Sequence, residues 1–393
     1  MRVFVSIILL GCIMAAGGEE ATREDVTAHE WGTFTAVLGS DGRELNWWLP
    51  SVEGPSALPE FVRQVLNVTT KTGAWLLRME TPVIYFYAER PVDLRVSVDD
   101  TRVRVTEAYP ETVTARTFPV ELPTQKSLRE WQIQIRPPQD AVGAKMLEVG
   151  ARGAHYRHAR QVPEAWWVVG QTPAKEVEKF VFYRGAGALT MPKRVISVNK
   201  QGVEIIDGGL PAFLVEVMNG ELRWKRIPAS KMKAEVKSAI VSWPSEAAEG
   251  SKGADGLAHA LVATLVEAGL TQSEAAAMVA TWREAWMDEP GARVLEILPR
   301  QWVDEVLPLR ISPRPGKVER VFVARWELLS GDRERAVIAA VDEDDEEALR
   351  GLHLGRFMNA AMERAAYIRD QEFRNFSNQL VWRLNLPPDA GNK

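Results

Sequence analysis

The 393-residue chain is poor in cysteine and histidine, with one of the first and five of the second. The single thiol, Cys12, falls in the apolar opening of the chain. If that opening is removed, thiol catalysis, structural disulfides and cysteine-based zinc sites are all excluded. There is no excess of positive charge: 48 basic residues face 53 acidic ones, for a net charge of −5. A nucleic-acid partner is therefore not expected, since it would require a basic stripe. After the opening no apolar run reaches transmembrane length, so no membrane span is expected. A P-loop, a dinucleotide fingerprint, a nucleophile elbow and a His-Glu-x-x-His pair are also missing.

What is present begins with residues 1–18, which read as an export signal. Arg2 precedes an apolar run, Ala15-Ala16-Gly17 supplies small residues, and Glu19-Glu20 ends the run. The expected location is the periplasm or the extracellular space. Leu9-Leu10-Gly11-Cys12 also resembles a lipobox, so a lipid anchor at Cys12 is the alternative. Apolar content of 46% is enough for a full core without metals.

The fold class expected is α+β. Residues 19–243 carry many short strand-like runs, such as Leu94-Arg95-Val96-Ser97-Val98, and suggest an antiparallel β-sandwich, or two in tandem. Asn219-Gly220 marks a hairpin. Leu58 to Leu66 suggests a short helix. Residues 244–255 read as a linker. Residues 256–386 form a mainly helical part. There Leu257, Leu261 and Leu265 make a stripe, and Thr271 to Glu274 is a capping box. Strands near Arg293 and Arg320 are embedded in this part and can return to the N-terminal sheet. Residues 387–393 read as a disordered tail.

Chemistry has to come from scattered polar residues. In Ala28-His29-Glu30-Trp31-Gly32-Thr33-Phe34-Thr35, strand geometry points His29 and Glu30 to opposite faces. Only one of them can serve a given site, and the simpler role is satisfying buried polar groups. Glu80 precedes an apolar strand and needs a cation, with Arg184 and Arg78 as partners for an internal salt bridge. His155 and His158 lie in glycine-bordered text, and Arg184 ends a strand before Gly185. Catalytic candidates are therefore His29, Glu30, Glu80, His155 and Arg184; metal candidates are His29, Glu80 and His155. Ligand-binding candidates are Trp31, Trp47, Trp48, Tyr156 and Arg160. The six acidic residues Asp342 to Glu347 read as a solvated helix start.

The octapeptide resembles the opening of a group of uncharacterised, exported bacterial proteins. The likeness continues at Met79-Glu80-Thr81-Pro82, at His155-Tyr156, at Tyr183-Arg184-Gly185 and at Thr281-Trp282-Arg283, covering most of the chain after residue 28. It implies export and a shared architecture, and no activity. His158 stands where the resemblance leads one to expect a small residue, which favours His155 of the pair. The leading expectation is an exported binding or structural component of the periplasm or cell surface, with no cofactor. One alternative is a zinc-type hydrolase gathering His29, Glu80 and His155 around a zinc-bound water. Another is a carbohydrate-binding sandwich that stacks sugars on exposed tryptophan. Either partner, carbohydrate or cell envelope, suits an exported chain.

Overall fold

A computed structural model describes residues 22–47, 58–65, 77–113, 128–151, 153–206, 208–230, 238–245 and 253–384, with side chains described to residue 372. The expected export signal, Cys12, Trp48 and the tail at 387–393 lie outside the described residues.

Among the described residues the strands of the first half are β1 (Thr22–Leu38), β2 (Glu44–Leu45), β3 (Arg63–Gln64), β4 (Leu77–Ala88), β5 (Val92–Asp99), β6 (Val103–Tyr109), β7 (Leu128–Arg136), β8 (Trp167–Gly170) and β9 (Val177–Glu178). Those that follow are β10 (Val181–Gly187), β11 (Val195–Asn199), β12 (Gly202–Ile206), β13 (Ala212–Met218), β14 (Glu221–Ile227), β15 (Ser238–Ser242), β16 (Gly291–Ile297), β17 (Leu309–Ser312) and β18 (Arg314–Leu328). The helices are α1 (Tyr156–Ala159), α2 (Gly253–Glu267), α3 (Gln272–Arg283), α4 (Arg300–Val306), α5 (Gly331–Asp342), α6 (Glu346–Gly351) and α7 (Met358–Leu384).

The α+β class is observed, with an organisation different from the expected one. The main sheet runs β14-β13-β16-β18-β1-β4-β10-β6-β3. β1 sits at its middle, parallel to β18 and antiparallel to β4. The sheet is therefore mixed, and the expectation of a purely antiparallel N-terminal unit does not hold at its central pair. Strands from both sides of residues 244–255 share the sheet, so that stretch does not separate two independent cores. The C-terminal strands return because β18 pairs with β1 from Ala28↔Val318 to Leu38↔Leu328 and buries its final apolar run in doing so. Of the short helix expected at Leu58 to Leu66, residues 58–65 are described and form a turn leading into β3 on the sheet edge.

β1 alternates between two faces, as period-two geometry requires. Ala28, Phe34, Ala36 and Leu38 enter one core, which they share with Val96, Trp131 and Ile133 of the five-stranded sheet β17-β5-β7-β8-β9. Trp31 enters the opposite core, beneath Leu257, Leu261 and Leu265 of α2 and Met278 and Trp282 of α3. Val37 on that side meets a third cluster from Val337 of α5 and Ala360, Ala361 and Ala365 of α7. With both faces covered, β1 is buried almost throughout, which explains its near-continuous apolar text. Between the α2–α3 layer and the α5–α7 layer lie Thr33 and Thr35, and there the sheet carries charge instead of apolar side chains.

Candidate functional site

Glu80 and Arg78 face Thr33 and Thr35 because β4 changes face. From Phe86 to Ile84 the even-numbered residues point into the first core, yet two positions beyond the break it is Met79 and Leu77 that do so. The switch is a β-bulge. Trp31 pairs with Val83 and Thr33 pairs with Glu80, which leaves Thr81-Pro82 as the extra turn of chain. Thr81 has φ of 51°, a left-handed conformation costly for a β-branched residue, and Pro82 has no N–H to give the ladder. Gly32 makes room for it: a Cβ there would lie 2.7 Å from the Phe322 ring and 3.1 Å from Pro82 Cα. A second irregularity, between Arg184/Gly185 of β10 and Glu107/Val105 of β6, turns Glu107 the same way. Bulges re-aim side chains in this manner.

The result is a buried polar basin. Glu80 accepts from Thr35 Oγ1 at 2.6 Å and from Arg356 Nη1 at 2.7 Å. Glu107 accepts from Arg184 Nη2 at 2.6 Å and from the Thr106 hydroxyl. Arg78 has no carboxylate within ion-pair distance among the described residues; its guanidinium lies over the Trp47 ring, 5.5 Å from the centroid, as does that of Arg356. Burial by itself would raise the Glu80 carboxyl, but the Arg356 and Arg78 guanidiniums and the Thr35 bond outweigh it and hold it at about 2. Burial lowers Arg78 to about 10, against the opposing pull of Glu80. His155 stands within electrostatic reach of Arg184, Glu80 and His158, and burial followed by the Arg184 charge pushes its imidazole down, so it is neutral at pH 7.

The basin has more donors than acceptors. Among the described residues Arg78 Nε, Arg184 Nε, and Arg356 Nε and Nη2 are buried with no hydrogen-bond partner, as are Thr33 Oγ1 and His158 Nδ1. Buried guanidinium N–H groups are costly to leave unpaired. A neighbouring quartet, Arg293, Arg325, Glu289 and Glu327, is internally matched in charge, with Glu327 accepting from both arginines.

The remaining candidates are placed elsewhere. His29 faces the α3 layer. Its Nδ1 lies 2.9 and 3.1 Å from the Glu274 carboxylate, which also accepts from Tyr87 Oη at 2.5 Å and from Thr271 N at 2.7 Å. Burial raises Glu274, but the His29 bond and charge outweigh it, and the carboxylate is held below its ordinary value. His29 Nδ1 therefore carries the proton. Glu30 points the opposite way and accepts from Tyr183 Oη and Arg320 Nε; Arg320 continues to Asp304 at 2.8 Å. His29 and Glu30 thus each satisfy buried groups, on opposite faces.

Glu80 pairs across from Thr33, four residues along β1 from His29, a separation of roughly 13 Å at strand rise. A zinc shared by His29, Glu80 and His155 would have to bridge that separation, and His29 Nδ1 is already paired with Glu274. Among the described residues no three histidine, cysteine, aspartate or glutamate side chains converge as a metal-ligand set. The salt bridge expected between Glu80 and Arg184 is also displaced: each has a different partner.

The aromatic and cationic ligand candidates correct in the same direction. Trp31 is fully buried against Tyr85, and Trp47 is fully buried over the guanidiniums, so neither offers a face to a sugar. Tyr156 donates to Glu178 at 3.2 Å and is packed among Phe61, Phe180 and Phe182. Arg160 is bound to Glu178 at 2.7 Å. These two build the core under α1. The residues that sequence reasoning missed are Arg356, Glu107 and Glu274. The first two reach the basin only through a helix junction and a bulge. Glu274 was visible as a capping residue, but its second partner, His29, is 245 positions away.

A separate cavity of about 840 Å³ lies where β13 and β18 end and β16 begins, beside β11 and the start of α5, with Trp243, Glu216, Lys200 and Arg335 among its lining. No protein-family model matches the sequence, and no curated protein is found to be similar to it.

Proposed function

We propose that this protein is an exported binding component of the cell envelope that holds a small anion in the basin formed by Arg78, Arg184 and Arg356. The observation that carries the reading is the set of four buried guanidinium nitrogens without partners among the described residues, placed where two bulges have turned charged residues inward. Strained backbone at Thr81 supports it, because strain of this kind persists at sites the surrounding structure over-determines. Export is supported by the apolar opening of residues 1–18, with the periplasm or extracellular space as the location and a lipid at Cys12 as the alternative tether.

The test is thermal unfolding in a series of sodium salts at constant ionic strength. A ligand that binds only the folded state raises its stability by mass action. The wild type is expected to gain stability with at least one small anion, while an Arg356→Met variant gains none. An unfolding temperature insensitive to every anion tried contradicts the reading.

A further inference from the structure

The charge and donor count of the basin define the class of anion. Three guanidiniums meet two carboxylates. Glu80 is bound by Arg356 at 2.7 Å and Glu107 by Arg184 at 2.6 Å, so each carboxylate already has its cation. Among the described residues Arg78 is left without a carboxylate of its own. In the adjoining quartet the two arginines are matched by two glutamates, while Arg325 Nη1 is buried without a partner and Arg333 lies within electrostatic reach of Glu327. Among the described residues of the basin one positive charge is therefore available. Four guanidinium nitrogens, with five N–H bonds between them, are available to an acceptor: Arg78 Nε, Arg184 Nε, and Arg356 Nε and Nη2.

Resting on the anion-binding reading above, we infer that the basin takes a monocarboxylate. A carboxylate has one negative charge and two oxygens with about four acceptor sites between them. It neutralises Arg78 and offers about four acceptor sites to the four donor nitrogens. A dianion such as sulfate brings one charge too many into a site where Glu80 and Glu107 are already ionised and buried, which low-dielectric surroundings penalise strongly, and phosphate would have to enter as its monoanion. Chloride matches the charge but lacks the two-oxygen fork that pairs with a guanidinium in bidentate fashion. His155 fits this assignment: the neutral imidazole at the edge of the basin adds no second positive charge that a dianion would require.

The experiment is calorimetric titration of the full chain with acetate, propionate, inorganic phosphate, sulfate and chloride, at fixed ionic strength and pH 7. Acetate or propionate is expected to bind at least about tenfold more tightly than phosphate, sulfate or chloride. Arg78→Met is expected to lose at least about tenfold of that affinity, in line with removal of a charge-assisted donor. Glu107→Gln serves as the second variant, since it leaves one more positive charge in place and is expected to shift preference toward phosphate and sulfate. Circular dichroism of each variant confirms that it is folded. Preferential binding of phosphate, sulfate or chloride by the wild type overturns the carboxylate assignment and leaves anion binding standing. Absence of binding by all five anions overturns both. Equal affinity of folded Arg78→Met and wild type for acetate places the carboxylate elsewhere and overturns the assignment.

Discussion

Glu80 shows how one side chain ties stability to the site. Its carboxyl is held at about 2 in the folded protein against an ordinary 4.5. A depressed carboxylate contributes stability that is fully present above its unfolded value and is lost as pH falls toward its folded value. The shift corresponds to about 3 kcal/mol at neutral pH. Glu80→Gln is therefore expected to lose about 3–5 kcal/mol at pH 7, because it also strands Arg356. The deficit should shrink between about pH 5 and pH 2, which denaturant melts across that range would show. Glu296 has the opposite sign. It is buried, Oε2 has no partner, and burial raises it to about 7 against the pull of Arg194 at 3.6 Å. A raised carboxyl costs nothing below its unfolded value and a growing amount as pH climbs to its folded one. Glu296→Gln is expected to stabilise by roughly 1–3 kcal/mol at pH 8 and by nearly nothing at pH 4. At this scale the sequence showed that Glu80 sits in apolar text and needs a cation. It did not show which one, because Arg356 is 276 positions away.

Elements held together by local chemistry were legible; those bent by distant packing were not. The Asn219-Gly220 hairpin and the Thr271–Glu274 capping box form as read, since their hydrogen bonds span a few residues. The bulge in β4 was not read, although Thr81-Pro82 inside a strand run is its signal. It matters most for function, because it decides which face Glu80 and Arg78 take. Gly32 accommodates it from the neighbouring strand. Gly32→Ala is expected to cost about 1–3 kcal/mol, since the Phe322 ring, stacked on Phe34 at 5.3 Å, must shift. The same variant should weaken acetate binding through displacement of Thr81-Pro82. Unchanged stability and unchanged binding would argue against the packing role. The α3 layer is pinned to β1 by His29 and Glu274. His29→Ala is expected to raise amide exchange in the first turn of α3 while leaving the basin's acetate affinity intact.

For the molecule as a whole, the organising contact is the parallel pairing of β1 with β18, the first described strand with the last. Sequence order suggested a strand-rich half followed by a helical half. Composition cannot reveal that both halves share one sheet, since pairing partners leave no mark on local pattern. A consequence is that residues 22–243 lack β16 and β18, the two strands that join β13 to β1. That fragment is expected to show no cooperative thermal transition by circular dichroism; a sharp melt would contradict the shared-sheet account. The fold serves the basin by placing it between two helical layers, with β1, β4, β10 and β6 as its floor and the 3-10 turn Gly355–Phe357, just before α7, delivering Arg356. A crystal structure of the wild type grown with acetate is the decisive measurement for carboxylate binding. A planar two-oxygen group bridging at least two of Arg78, Arg184 and Arg356 is expected. Ordered water alone against those guanidiniums, or a protein carboxylate in that place, would contradict it.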